Sequence, residues 1–546
     1  MDSSSQFEVS GQIVDLVRGE IFPGTVRVSQ GRIDSIGRNG GASGGPFILP
    51  GLVDAHVHIE SSMLPPSEFA RLAVVHGTVA TVSDPHEIAN VLGVEGVDYM
   101  IADGLRTPLI TAFGCPSCVP ATLFESAGAV IGVEDVRALL ARDEVRYLSE
   151  MMNFPGVLSG NKDVLSKIEA ARSRGKPVDG HAPGLRGADA KAYIEHGITT
   201  DHECFTYEEA LEKISYGMKI IIREGSAAKN FDALIPLIKD HPEKVMFCSD
   251  DKHPNDLLRG HINELVRRAV SQGYSPLSVL KAATLNPVQH YGLDVGLLQP
   301  GDRADFILVD ALESFNVLRT VIKGRTVAEE GRTLLPRLHC EPINRFAASP
   351  ITPSALACTG EGGAYRVIEA LDGQLITKEL HLPLKSLAGV LQSDPERDIL
   401  KITVINRYSD APPAVAFVRN FGLKRGAIAS SVAHDSHNII AVGADDSDIA
   451  RAINLVIENR GGISFSSADG SLVVGLPIAG LMSLDEGEKV ASDYEKIDRM
   501  VKEAGSTLSA PFMTLSFLAL LVIPQLKLSD KGLFDGSTFR FVTLKV

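Results

Sequence analysis

The chain has little of several things, and each shortage narrows the field. Six cysteines in 546 residues, at positions 115, 118, 204, 248, 340 and 358, are too few and too scattered for a disulfide framework. A reducing, cytoplasmic setting is the expectation. Positive charge is short: 53 Lys and Arg against 68 Asp and Glu leave a net charge of −15. This argues against nucleic acid or an anionic membrane as partner. The most apolar run, Phe512 to Ile523, is about half the length of a membrane span and is closed by Pro524, so it reads as a buried strand or helix. The stretch Met1 to Glu8 has no basic segment leading into an apolar core, so no secretory signal is expected. Repeats and low-complexity tracts are absent. What remains is a globular composition, 44% hydrophobic and 22% charged, in a chain long enough for two or three domains.

The chain is organised around Ile48-Leu-Pro-Gly-Leu-Val-Asp-Ala-His56-Val-His58. On a strand, alternate side chains share a face, so His56 and His58 point the same way, roughly 7 Å apart at Cα. Two imidazoles at a strand end can grip one metal ion. The Leu49-Pro50-Gly51 turn and Asp54 sharpen that reading. Upstream, Gln12–Val17, Thr25–Val28 and Arg32–Ile36 read as short strands separated at Gly24 and Gly31, and the same texture returns at Ala304–Asp310 and Thr320–Val327. Residues 1–49 and 296–335 are therefore expected to build one small composite β-sandwich.

Between them, residues 50–295 have close to the ~250 residues of a (β/α)8 barrel. Eight strand-like runs end at His58, Asp84, Phe113, Glu150, His181, His202, Glu224 and Asp250, with helical stretches such as Val164–Arg172 between them. The fold class expected is α/β: a TIM-like barrel, a flanking β-sandwich and a mixed α/β domain over residues 336–546. The clearest helix of that last part runs from a Ser447 N-cap to Gly461-Gly462.

Barrel active sites lie at the C-terminal strand ends. There the reading places His56, His58, Glu150, His181, His202 and Asp250. The fourth strand ends in Glu150, and no lysine lies between Asp143 and Asn161. Asp250 and Asp251 compete for one role, since a one-residue slip swaps their faces.

The segments His56–Ser62, Ser83–Asn90, Glu150–Gly156, Asp179–Gly184, Asp201–Cys204, Arg223–Ser226, Ser249–Pro254 and Ser431–Asn438 resemble the adenine deaminase family of the amidohydrolase superfamily. The resemblance covers all three parts, although family members commonly carry an extra N-terminal segment that is lacking here. It implies a binuclear divalent metal centre, Mn2+ or Fe2+ with Zn2+ possible, held by His56, His58, Glu150, His181, His202 and Asp250. The same resemblance implies that a carboxylate on the fourth strand, here Glu150 with no lysine to supply one instead, bridges the two cations. It also implies hydrolytic deamination of adenine by a homo-oligomer, a dimer by expectation. Asp250 or Asp251 would move the proton of the attacking water, and Glu150, His86 or Glu87 would protonate the ring. Arg223 and Glu224 are candidate substrate contacts. His434 and His437 are read as structural unless the third domain caps the barrel.

Rival patterns are weaker. His58-Ile-Glu60 with Cys115-Pro-Ser-Cys118 imitates the H-x-E…P-C-x-x-C zinc deaminase signature, but Gly114 stands where its proline belongs. A cyclic-amide hydrolase of the dihydroorotase type would prefer a lysine bridge. A non-enzymatic scaffold would have lost ligands that this chain keeps.

Overall fold

A computed structural model describes residues 6–39 and 44–546; residues 1–5, which make up most of the stretch read for a signal, lie outside the described residues. Strands β1 (Phe7–Asp15), β2 (Glu20–Ser29) and β3 (Arg32–Arg38) form an antiparallel meander, and β4 (Phe47–Pro50) runs parallel to β1. Two details differ from the sequence reading. The strand expected to reach Val17 stops at Asp15, whose carboxylate takes the N–H groups of Val17 and Arg18 (3.0 and 2.9 Å) and turns the chain. Gly24 is not a turn but lies within β2, where a Cβ would meet the Gly37 carbonyl at 2.7 Å and Ile13 at 2.8 Å. A glycine there permits the close approach.

The barrel follows. Its strands are β5 (Leu52–Val57), β6 (Thr78–Ser83), β7 (Ile110–Cys115), β8 (Val145–Met151), β9 (Val178–Gly180), β10 (Thr200–Asp201), β11 (Lys219–Arg223) and β12 (Val245–Cys248). All eight expected runs are strands. β5 to β9 pair in parallel, as do β10 to β12. The two seams are joined by Thr199 N–H to Val178 O (2.8 Å) and Asp250 N–H to His56 O (3.0 Å). Helices such as Lys162–Arg172, capped by the Asn161 side chain, cover the outside, so the strands are buried on both faces and read as apolar runs. Asp54 ties the first strand to the last. Its carboxylate accepts the Ser249 N–H (3.0 Å) and hydroxyl, and His261 Nε2 lies 2.8 Å away.

The chain then returns to the first sheet. β13 (Phe306–Val309) pairs antiparallel with β4 and is extended by β14 (Val317–Ile322), β15 (Arg325–Glu329) and β16 (Arg332–Thr333). The eight strands make one sheet curled on itself, its core shared by Ile13, Val26, Ile48, Phe306 and Val321.

Beyond residue 336 a second eight-stranded sheet, from Tyr365 to Gly475, packs against the helix Asp446–Glu458. That helix is capped by Asp445, which accepts the N–H groups of Ser447 and Asp448, rather than by Ser447. The apolar run near the C-terminus contains the buried helix Pro511–Phe517. This part seats on the barrel through Gly487 N–H to Glu68 (2.9 Å), Ser126 N–H to Asp530 (2.9 Å) and Asn438 to Ser126 O (2.9 Å).

Candidate metal centre and active site

Strand geometry brings the polar strand ends together. His56 on β5 and His58 just past its end place their Nε2 atoms 3.2 Å from each other. Asp250 follows β12; its Oδ1 lies 3.3 Å from His58 Nε2 and 3.9 Å from His56 Nε2. Glu150 sits between the two halves of the cluster. Its Oε1 lies 3.6 Å from His58 Nε2, and its Oε2 lies 2.8 Å from His181 Nδ1 and 3.1 Å from His202 Nε2. All six side chains are buried.

The arrangement suits divalent metal. Ligand bonds of 2.0–2.2 Å around one ion separate neighbouring donors by roughly 3.0–3.5 Å, close to the spacings seen. His58 Nδ1 lies 3.1 Å from the Asp84 carbonyl, which can only accept a hydrogen bond. Nδ1 therefore carries the proton, and Nε2 turns its lone pair toward the cluster. Lone pairs of imidazole and carboxylate so close together call for a cation between them. Burial raises the cost of ionising Glu150, but His181 and His202 outweigh it and hold that carboxyl well below its ordinary range.

Asp250 and Asp251 both border the cavity but are placed differently. Asp250 adopts a left-handed backbone (φ 52°) and aims its carboxylate into the cluster, whereas Asp251 turns to Ser61 and lies 3.9 Å from His434 Nε2. Arg223 is buried behind Asp250. Its Nη1 donates to Asp250 Oδ2 (2.7 Å), and its guanidinium forks onto both oxygens of Glu203. It thus orients two carboxylates while bordering the same cavity. Glu224 must be corrected. Side chains alternate along a strand, so Glu224 leaves the barrel on the other side, 3.0 Å from Arg268 and 3.7 Å from Lys229, and does not border the cluster.

His86 Nδ1 lies 3.1 Å from Asp84 and 3.4 Å from Glu150. Its neighbour Glu87 is engaged otherwise: one oxygen pairs with His434 Nδ1 and the other accepts from His437 Nε2. The C-terminal part therefore does cap the barrel. His434, Asp435, Leu375, Phe517 and Leu520 border the same cavity as the ligand set. The sequence reading did not single out Glu203, Asp84 or Asp435. All three lie within quoted motifs close to chosen residues; the apolar roof falls largely in the run Phe512–Ile523, whose sequence shows that it is buried but not that it faces the cavity.

The amidohydrolase family profile matches residues 47–327, and that of the adenine deaminase C-terminal domain matches residues 374–540. The adenine deaminase of Salinibacter ruber (strain DSM 13855 / M31) is 57% identical over 542 residues, covering 98% of this chain and 99% of that protein. That of Sulfurovum sp. (strain NBC37-1) is 57% identical over 536 residues, with the same coverage. That of Methanosarcina mazei is 53% identical over 548 residues, covering 98% of each. With a barrel carrying this ligand set and a second domain closing over it, the chain belongs to the adenine deaminase family of amidohydrolases.

Proposed function

We propose that this chain hydrolyses adenine to hypoxanthine and ammonia. The observation that carries the reading is the convergence of His56, His58, His181 and His202 on Glu150 and Asp250 at one barrel mouth. A pair of divalent cations bound there would hold and acidify the attacking water. The mixed imidazole and carboxylate set suits Mn2+ or Fe2+, with Zn2+ also compatible. Asp250, fixed by Arg223, takes a proton from the water as its oxygen adds to C6. It then passes that proton to the exocyclic nitrogen, which departs as ammonia; the C6 hydroxyl gives up its remaining proton as the carbonyl forms, and that proton restores the group that protonated N1. Ring N1 needs a proton as electrons move onto it, and His86, which lies beside Asp84 and Glu150, would give one. General acid and base help of this kind contributes roughly 10²- to 10⁴-fold each.

The reading extends to organisation. Residues 1–49 with 296–335, 50–295 and 336–546 act as sandwich, barrel and cap in a cytoplasmic homodimer. The shared first sheet supports the division into parts, and six free cysteines support the reducing compartment; the homodimer is carried by the family resemblance alone. Steady-state assays of the Mn2+-loaded protein test the chemistry: adenine is expected to turn over far faster than adenosine, cytosine or dihydroorotate. A preference for adenosine, or no turnover of adenine, would end the assignment.

A further inference from the structure

Glu87 is a barrel residue whose carboxylate is occupied by the other domain. His437 has a settled tautomer: its Nδ1 accepts the Ala433 N–H (3.2 Å), so its Nε2 donates to Glu87. The second Glu87 oxygen holds Nδ1 of His434. A carboxylate lying against Nδ1 of an imidazole occupies that side of the ring and leaves the other nitrogen for a different partner. His434 is aimed into the cavity. Its Nε2 is buried and has no hydrogen-bond partner among the described residues; Asp251 Oδ1 is 3.9 Å away.

Leaving such a nitrogen unpaired costs free energy. A ring so firmly positioned, with its free nitrogen turned to the catalytic cavity, fits a partner that arrives with substrate. The neighbouring walls are apolar: Phe517 stands 5.3 Å from the His434 ring at 32°, and Leu520 and Leu375 border the same cavity. From these contacts we infer that His434, with Glu87 as its positioning residue, hydrogen-bonds a ring nitrogen of the bound purine, so that the C-terminal domain supplies part of the substrate site. The inference rests on the adenine deaminase reading and adds a specificity contact to it.

Ring-nitrogen deletions separate this role from a structural one. The metal-loaded full chain is assayed on adenine and on analogues lacking N3, N7 or N9. Wild type is expected to lose roughly 10- to 100-fold in kcat/KM on one analogue, the range of a buried hydrogen bond to a charged or polarised group. His434→Phe should lose a similar factor on adenine and little more on that analogue, so discrimination collapses, while metal content stays at the wild-type level. His434→Asn, which keeps an N–H donor, should restore part of it. Glu87→Gln, which loosens the ring without removing it, should show a smaller loss with the same selectivity. Equal losses on adenine and all three analogues in these variants would make His434 a structural rivet and overturn the inference, as would a wild type indifferent to all three deletions or a His434→Phe enzyme with undiminished adenine turnover. A wild type inert toward adenine would instead sink the function proposed above.

Discussion

Arg223 and Glu224 are neighbours in sequence and face opposite sides of the barrel wall, one bonded to Asp250 and Glu203 inside, the other to Arg268 outside. Burial disfavours the charge on Arg223, but Glu203 and Asp250 overcome that and hold its pKa above the ordinary range. Arg223→Met would strand two buried carboxylates without a counter-charge, which costs about 3–5 kcal/mol. Glu224→Gln breaks a partly exposed pair and should cost about 1 kcal/mol or less. Thermal denaturation of the two variants compares them directly. Equal stability losses would show that the buried fork is not the stronger constraint.

Asp250 and Asp251 differ by the same alternation. Asp250→Asn removes the carboxylate beside His58 and should lower kcat by roughly 10²- to 10⁴-fold. Asp251→Asn, bonded to Ser61 at the cavity edge, should be clearly milder. Turnover numbers for both at full metal occupancy decide between them, and a milder Asp250 variant would reverse the roles.

The Glu150 carboxylate lies within 2.8–3.6 Å of His58, His181 and His202. Its charge is what would compensate two cations held close together. Glu150→Gln should retain less metal after dialysis and lose at least ~10²-fold in turnover. Elemental analysis alongside the assay reads both. Wild-type metal content combined with wild-type turnover would remove Glu150 from its bridging position.

The barrel was legible because parallel strands buried on both faces must be apolar runs, and because catalytic groups sit where those runs end. His56, His58, Glu150, His181, His202 and Asp250 each mark such an end, so their convergence follows from the register of eight strands. Glu224 was misread for want of that register: its side of the wall depends on where the strand stops, and Arg223 takes the inner face. Gly24 looked like a turn because the close approach of Gly37 and Ile13 is made by other strands. The partnership of Glu87 with His434 and His437 had no local trace, since it joins residues from the start of the barrel to the third domain and depends on how that domain seats.

Lys527 gives the cap a pH dependence of its own. Its Nζ is fully buried, donates to the carbonyls of Leu375 (2.6 Å) and Phe517 (2.9 Å), and has no carboxylate against it. Burial alone pushes its pKa down to about 7 from 10.5. Below pH 7 the ammonium is present in both folded and unfolded chains, and the cost of burying it is felt in full. Between pH 7 and 10.5 the unfolded chain binds more protons than the folded one, so the stability contributed at this site rises with pH. Lys527→Met has no such group. The stability of wild type relative to that variant is therefore expected to increase steadily from pH 7 to pH 10. Denaturant unfolding of the pair at pH 7, 8, 9 and 10 measures the difference directly, so that other titrating groups cancel. A flat or falling difference would mean that Lys527 keeps its proton in the fold. Because Leu375 and Phe517 also border the candidate site's cavity, the same lysine links the protonation of the cap to the walls of that cavity.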